Sequence, residues 1–338
     1  MESTSPKQLL ALGALGFCLL WGVSFFNGTL ENMDAVIKQG FFPGGRSLHS
    51  VYTGNSLLDA RLTYLTAFYE PLSNALSAGP RLLFFDLNFM LSCTNAWVFI
   101  ESRRRGVRNM ALRHPVPFMV LWNAMGAAFV QPFYFYFITQ SKAAPGTPFL
   151  IVAICLISIA LMLPRHGLVS KKDAKNPDAD RPWIVASFIM ARTIAAAVHI
   201  FTIVHSLNPI DPDLTLTRLF IPSMGKVNSF SASAHNSTLA SAGLSPKGRV
   251  LLEGFYLFTQ FDLIVIALSC IVFTHYLLSN LPKIGTKMIS GKPRPAGMGE
   301  LAYIALGTVV FGPGAAGSWA LALRESRLRE RTAPRKIQ

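Results

Sequence analysis

Apolar residues gather into seven long runs, separated by joints that are short and basic or rich in Pro and Gly. The runs cover about residues 9–26, 82–100, 117–138, 148–163, 183–204, 251–278 and 301–323. A helix of about 20 residues, rising ~1.5 Å per residue, crosses the ~30 Å hydrocarbon layer of a bilayer. Each run is near that length. Because unpaired backbone cannot face lipid, the pattern predicts an all-α, polytopic transmembrane helical bundle. The run over 9–26 lacks a small-residue cleavage site and reads as a retained signal anchor. Residues 1–338 leave no room for a separate soluble domain, so one integral-membrane domain ending in a basic tail over 324–338 is expected.

Two connections are long. The first, from Asn27 to Arg81, carries a helical pattern at Leu58, Leu62, Leu65, Phe68 and Tyr69 that is expected to stop at Pro71. The second runs from Ser206 to Arg249 and turns Ser/Ala/Asn-rich before Leu251. The segments 57–76 and 214–244 are the places where an eighth crossing would hide.

Composition supports the membrane reading: 51% of residues are hydrophobic and the mean hydropathy is +0.40. The net charge of +14 does not point to nucleic acid, because it is clustered beside the runs. Arg103, Arg104, Arg105, Arg108 and Arg113 fill one joint, and Arg324, Arg327, Arg329, Arg331, Arg335 and Lys336 the tail. Juxtamembrane clusters of this kind set orientation and meet anionic headgroups. With a cytosolic N-terminus, seven crossings place the tail outside and eight place it in the cytosol. The sequons at Asn27 and Asn236 then lie on the lumenal side of a membrane expected to be the endoplasmic reticulum, where both are candidates for N-glycosylation.

Cys18, Cys93, Cys155 and Cys270 all fall inside the runs and read as small buried apolar residues. The seven histidines form no HxxxH box, and no HExxH, GxSxG or Walker pattern occurs. The run from Asp173 to Asp180 is single, interleaved with Lys175 and broken by Pro177, so it reads as solvated loop rather than a magnesium site. No metal or cofactor is expected.

Polar residues inside apolar helices are expensive and therefore mark candidate sites. Asp86, Glu101, Asn123, Gln131, Arg192, His199, Glu253, Gln260 and Asp262 stand in this position. Arg192 and His199 are seven apart and share a helix face. Arg192 is equally suited to neutralise Asp86 or Asp262, and Glu101 to pair with the arginines that follow it. Around these residues the aromatics are dense, with Trp97, Trp122, Tyr134 and Phe255–Phe261 as examples. Such rings suit bundle packing. They also suit a dry pocket that folds a polyene and stabilises carbocations through cation–π contact. That second use needs an acid kept protonated by burial, which Asp86 or Asp262 on an apolar helix would supply.

The stretch from Leu57 to Pro71, the run Phe99-Ile100-Glu101-Ser102-Arg103, the run Gln131-Pro132-Phe133-Tyr134-Phe135 and Phe311-Gly312-Pro313-Gly314-Ala315 occur in this order. In that order they resemble the fungal integral-membrane terpene cyclases of meroterpenoid pathways, of the ascofuranone and ascochlorin type. The resemblance implies acid opening of the terminal epoxide of a farnesyl chain attached to an aromatic ring, followed by polyene closure. It implies Asp59, Glu70 and Glu101 as acid candidates, whereas Asp86 stands where a neutral polar residue is expected. Together with Asp262 these form the catalytic set. Trp97, Trp122, Asn123, Gln131, Tyr134 and Arg192 form the substrate-binding set. The competing class is a transporter or channel-like protein in which Asp86, Arg192 and Asp262 line a polar path.

Overall fold

The computed structural model describes residues 5–43, 45–75, 77–102, 110–141, 181–207, 214–223, 246–280 and 298–330. Among them the protein is helical throughout, with no strand beyond an isolated bridge between Phe41 and Ser47. The helices are α1 (Lys7–Phe26, with a π turn at Cys18–Gly22), α2 (Thr29–Gln39), α3 (Ser56–Ser73) and α4 (Ala78–Ser102). After a single turn at Met110–Arg113 come α5 (Val116–Met125), α6 (Ala127–Gln140) and α7 (Arg181–Leu207). The short α8 (Leu216–Phe220), long α9 (Pro246–Ser279), α10 (Met298–Phe311) and α11 (Pro313–Glu330) complete the chain.

Four helices, α1, α4, α7 and α9, are long and apolar enough to cross a membrane, and the protein is membrane-associated. Two of the expected runs do not form single helices. The run over 117–138 breaks at Gly126 (φ 87°) and the run over 301–323 at Gly312 (φ 83°). At about 1.5 Å per residue, the 10 residues of α5 and the 14 of α6 and of α10 each fall short of ~30 Å. At Gly312 the break is built in twice. A side chain would strain the positive φ, and its Cβ would stand 2.9 Å from Cγ of His199. Pro313 then opens α11, where its missing N–H leaves nothing unsatisfied. The run over 148–163 lies outside the described residues.

Helix α3 does not stop at Pro71 but runs to Ser73. The proline removes one bond to the carbonyl a turn earlier, yet only two residues follow. The Ser73 hydroxyl donates to Tyr69 O at 2.9 Å and Glu70 O at 3.2 Å, while Asn74 N donates to Glu70 O. The carbonyls of Tyr69 and Glu70 are thereby satisfied. The segment 214–223 holds only the single-turn helix α8, so what is described of 214–244 is not a crossing.

The chain divides into two compact units. One comprises Ala14–Leu87 and Thr202–Val265, and the other Met1–Gly13, Asn88–Phe201 and Ile266–Gln338. They are called here the Asp262 unit and the Glu101 unit. Cys93 and Cys270 are buried as expected, but Cys18 is exposed on the outer face of α1, and Cys155 lies outside the described residues.

Candidate active site

In the Asp262 unit, helix α3 presents two working faces. Asn55 caps its start, accepting from Leu57 N at 3.1 Å and Leu58 N at 3.2 Å. Asp59, Thr63, Thr66 and Glu70 follow at helical spacing and share one face. This face holds the strap formed by the chain before α3. The Asp59 carboxylate accepts from Tyr52 N at 3.2 Å, Thr53 N at 2.8 Å, Thr53 Oγ1 at 2.8 Å and Gly54 N at 3.0 Å. Glu70 pairs with Arg46. Burial raises the Asp59 carboxyl, but the hydrogen bonds from Thr53, Tyr52 and Gly54 together outweigh it and hold the group below its ordinary value. An acid so held is ionised and fully engaged. Burial pushes Glu70 up against the pull of Arg46 and Asn74, yet its partner is the strap arginine. The two acids implied by resemblance on α3 thus serve to fasten the strap.

The other face of α3 is aromatic. The Phe68 ring stands 4.7 Å from that of Phe255 and 5.0 Å from that of Phe258, and Trp21 meets Phe258 edge-on at 6.1 Å. Tyr69 packs against Phe84 at 5.4 Å. On α9, Phe255, Phe258 and Asp262 follow at i, i+3 and i+7, so the carboxyl lies on the aromatic face. Asp262 is 5% exposed. Burial, and secondarily the Asp262 carboxylate, push the Tyr69 phenol up to about 12, which places the acid within electrostatic reach of that hydroxyl.

The opposite face of α9 fixes its rotation. Glu253 pairs with Arg218 of α8, and the Arg218 guanidinium stands 4.9 Å from the Tyr256 ring. The Arg218 carbonyl accepts from Tyr256 Oη at 2.8 Å and Gln260 Nε2 at 2.7 Å. Glu253 and Gln260 stood among the polar residues of the apolar runs; Arg218 did not. Asp86, on α4 of the same unit, is 3% exposed.

In the Glu101 unit the expected residues are largely committed to packing. Glu101 Oε1 accepts from Arg324 Nη1 at 2.6 Å, and both are buried. Its partner is thus the start of the basic tail; the arginines at 103–108 lie outside the described residues. Trp97 Nε1 donates to Ser318 Oγ at 2.9 Å, Gln131 Nε2 to Thr94 Oγ1 at 2.7 Å and Tyr134 Oη to Leu112 O at 3.3 Å. Trp122 is buried against Tyr134. Asn123 is exposed and turns its amide back to Met119 O at 2.7 Å, so it does not join them. Arg192 lies over the Trp319 ring at 4.3 Å, and His199 faces Val309 O at 3.3 Å. The shared face of Arg192 and His199 is therefore turned to α10 and α11.

Two other expectations meet obstacles. The Asn27 side chain accepts from Thr29 N at 3.0 Å and Thr29 Oγ1 at 2.6 Å, and its Nδ2, the atom a glycan would take, is buried. In the folded chain Asn27 thus serves as a helix-joint residue, and Asn236 lies outside the described residues. A surface depression of about 440 Å³ over Asn55, Leu57, Leu58 and Arg61 opens outward, which does not suit sequestering a polyene.

The CtvD domain family matches residues 6–164. Terpene cyclase DEP1 of Fusarium langsethiae is 38% identical across 97% of this chain and 100% of its own length. Terpene cyclase DEP1 of Alternaria brassicicola is likewise 38% identical over 97% of this chain and its own whole length. The chain belongs to this fungal terpene cyclase family. Terpene cyclase ctvD of Aspergillus terreus is 31% identical over 42% of this chain and 40% of its own. No solved structure matches. The resemblance read from the four ordered motifs is borne out at the level of family, and the motifs now have places: the α3 strap face, the Glu101–Arg324 pair, the Gln131–Thr94 bond and the Gly312 break.

Proposed function

We propose that the protein is a membrane terpene cyclase that opens the terminal epoxide of a farnesyl chain borne on an aromatic ring, with Asp262 as the proton donor. The observation that carries this reading is a carboxyl side chain, 5% exposed, on the same helix face as Phe255 and Phe258, with Phe68 packed opposite. The cyclase activity is supported by the names of the full-length relatives.

The chemistry follows from that arrangement. The Asp262 O–H delivers its proton to the epoxide oxygen as the C–O bond to the more substituted carbon breaks, and the bonding pair stays on oxygen as a hydroxyl. The nearest alkene then attacks the electron-poor carbon, and successive double bonds close the rings. Aromatic faces stabilise the travelling positive charge through their quadrupoles, and a dry site keeps water from quenching it. Loss of a proton from the last cation to the Asp262 carboxylate, directly or through water, ends the sequence and restores the acid. Buried carboxyls are favoured in this role because desolvation disfavours the ionised form. Asp86, 3% exposed on α4 of the same unit, is the reserve donor.

The partners in this reading are the bilayer and a hydrophobic prenylated small molecule, with no nucleic acid, and the membrane is that of the endoplasmic reticulum. The test is incubation of microsomes holding the full-length protein with an epoxyfarnesyl phenol. Cyclised product from wild type but not from Asp262→Asn supports the reading. An Asp262→Asn variant that accumulates normally and cyclises at the wild-type rate overturns it.

A further inference from the structure

We propose that Tyr69 is a second catalytic residue, whose phenol O–H donates a hydrogen bond to the epoxide oxygen while Asp262 protonates it. The proposal rests on the reading of Asp262 as the acid and adds a second group to the same site. Tyr69 belongs to the ring cluster of the Asp262 unit, 5.1 Å from Phe68 and 5.4 Å from Phe84 by ring centroids. Phe68 in turn stands 5.0 Å from Phe258, which lies one turn before Asp262 on α9. Two helices thus bring one hydroxyl and one carboxyl to a shared aromatic wall.

Charge and protonation fit a donor rather than a base. Burial keeps the phenol protonated far above neutral pH, so it meets an oxygen that gathers electron density as a hydrogen-bond donor. Epoxide opening creates such an oxygen: as the C–O bond stretches, negative charge builds there before the proton has fully arrived. Two donors to that atom stabilise the transition state more than the ground state, which is how oxyanion donors contribute. Tyr69 gives up no proton, so the proton count of the reaction is unchanged: one leaves Asp262 and one returns.

The test compares wild type, Tyr69→Phe and Asp262→Asn, each full length in microsomes, with the same epoxyfarnesyl phenol. Removing one oxyanion donor lowers kcat by about 10²–10³-fold in other enzymes. Tyr69→Phe, which keeps the ring and its packing, is therefore expected to lower kcat at least about tenfold with KM within about threefold of wild type. Wild-type kcat in Tyr69→Phe, or a loss carried entirely by KM, overturns the proposal while leaving Asp262 in place. An inactive wild type, or an active Asp262→Asn, instead removes the underlying reading. Should Tyr69→Phe fail to accumulate, Tyr69→His and Tyr69→Leu decide. The imidazole N–H keeps a donor, and a kcat about tenfold above that of the leucine variant supports the proposal. Equal rates overturn it.

Discussion

Glu101 Oε1 and Arg324 Nη1 meet at 2.6 Å in the interior of the Glu101 unit, although 223 residues separate them in the chain. One turn before Glu101, on the same side of α4, Trp97 reaches across to Ser318 of α11. These contacts bind the last helix to α4 by one ionic and one neutral bond. The pairing gives Glu101 a structural task that its position in the sequence conceals.

Removing one member of a buried pair leaves the other charge uncompensated and destabilises by about 3–5 kcal/mol, whereas apolar replacement of both is often neutral. Glu101→Gln and Arg324→Gln are therefore expected to lose thermal stability and membrane accumulation together. The double variant Glu101→Leu with Arg324→Met is expected to regain both, and cyclisation with them. Measured on detergent-solubilised protein, a stable double variant with no activity would make Glu101 a chemical participant after all.

The break between α10 and α11 makes a second prediction. A side chain at a left-handed position costs about 1–2 kcal/mol, and at residue 312 its Cβ would also press on the His199 ring at 2.9 Å. Gly312→Ala is thus expected to lower the melting temperature by more than Gly299→Ala, where a Cβ meets nothing within 4 Å. Equal melting temperatures would show that the break relaxes freely.

Much of the architecture was legible in the sequence, because apolar runs of bilayer length report directly on helices that lipid must surround. Helices α1, α4, α7 and α9 match four of the expected runs closely. What periodicity does not report is a single backbone torsion. Gly126 sits inside an apolar run whose composition gives no sign of a break, and at Gly312-Pro313-Gly314, where turn residues stand together, hydropathy averages over them. The candidate site was legible by half. Asp262 stood out as a charge in an apolar helix, and the aromatics near it were countable. The two faces of α3 were not separable in advance, since Phe68-Tyr69-Glu70 are consecutive and only the partners on the strap and on α9 tell their roles apart. Arg218 and Arg324 were hidden for the same reason: a surface charge and a buried partner are written with the same residue.

The strap makes a prediction about pH. Asp59 is held below its ordinary value in the folded protein, so its contribution to stability is present above the unfolded carboxylate range and disappears as pH falls through the folded value. In wild type the strap over 41–55 should resist limited proteolysis at neutral pH and open in acid. Asp59→Asn should cleave faster at neutral pH and show less of the acid-dependent increase. An Asp59→Asn profile superimposable on wild type across the acid range would mean that the four hydrogen bonds do not hold the strap.

The last prediction separates the five carboxyls by the task each is given. General acid catalysis contributes about 10²–10⁴-fold, and an isosteric amide removes the proton while keeping the shape. Asp262→Asn should therefore abolish cyclisation at normal membrane accumulation, because the chemistry is lost and the packing is not. Asp59→Asn and Glu70→Gln should loosen the strap yet retain most of their activity per folded molecule. Glu101→Gln should fail through stability, and Asp86→Asn should fall between. A proton delivered by a side chain asks for no divalent cation in this step, so wild-type turnover should persist in EDTA. If all five amides accumulate and stay fully active, no carboxyl is the donor. If EDTA stops cyclisation and magnesium restores it, the initiating step is a metal-assisted one, and the region 173–180 becomes the first place to look for its ligands.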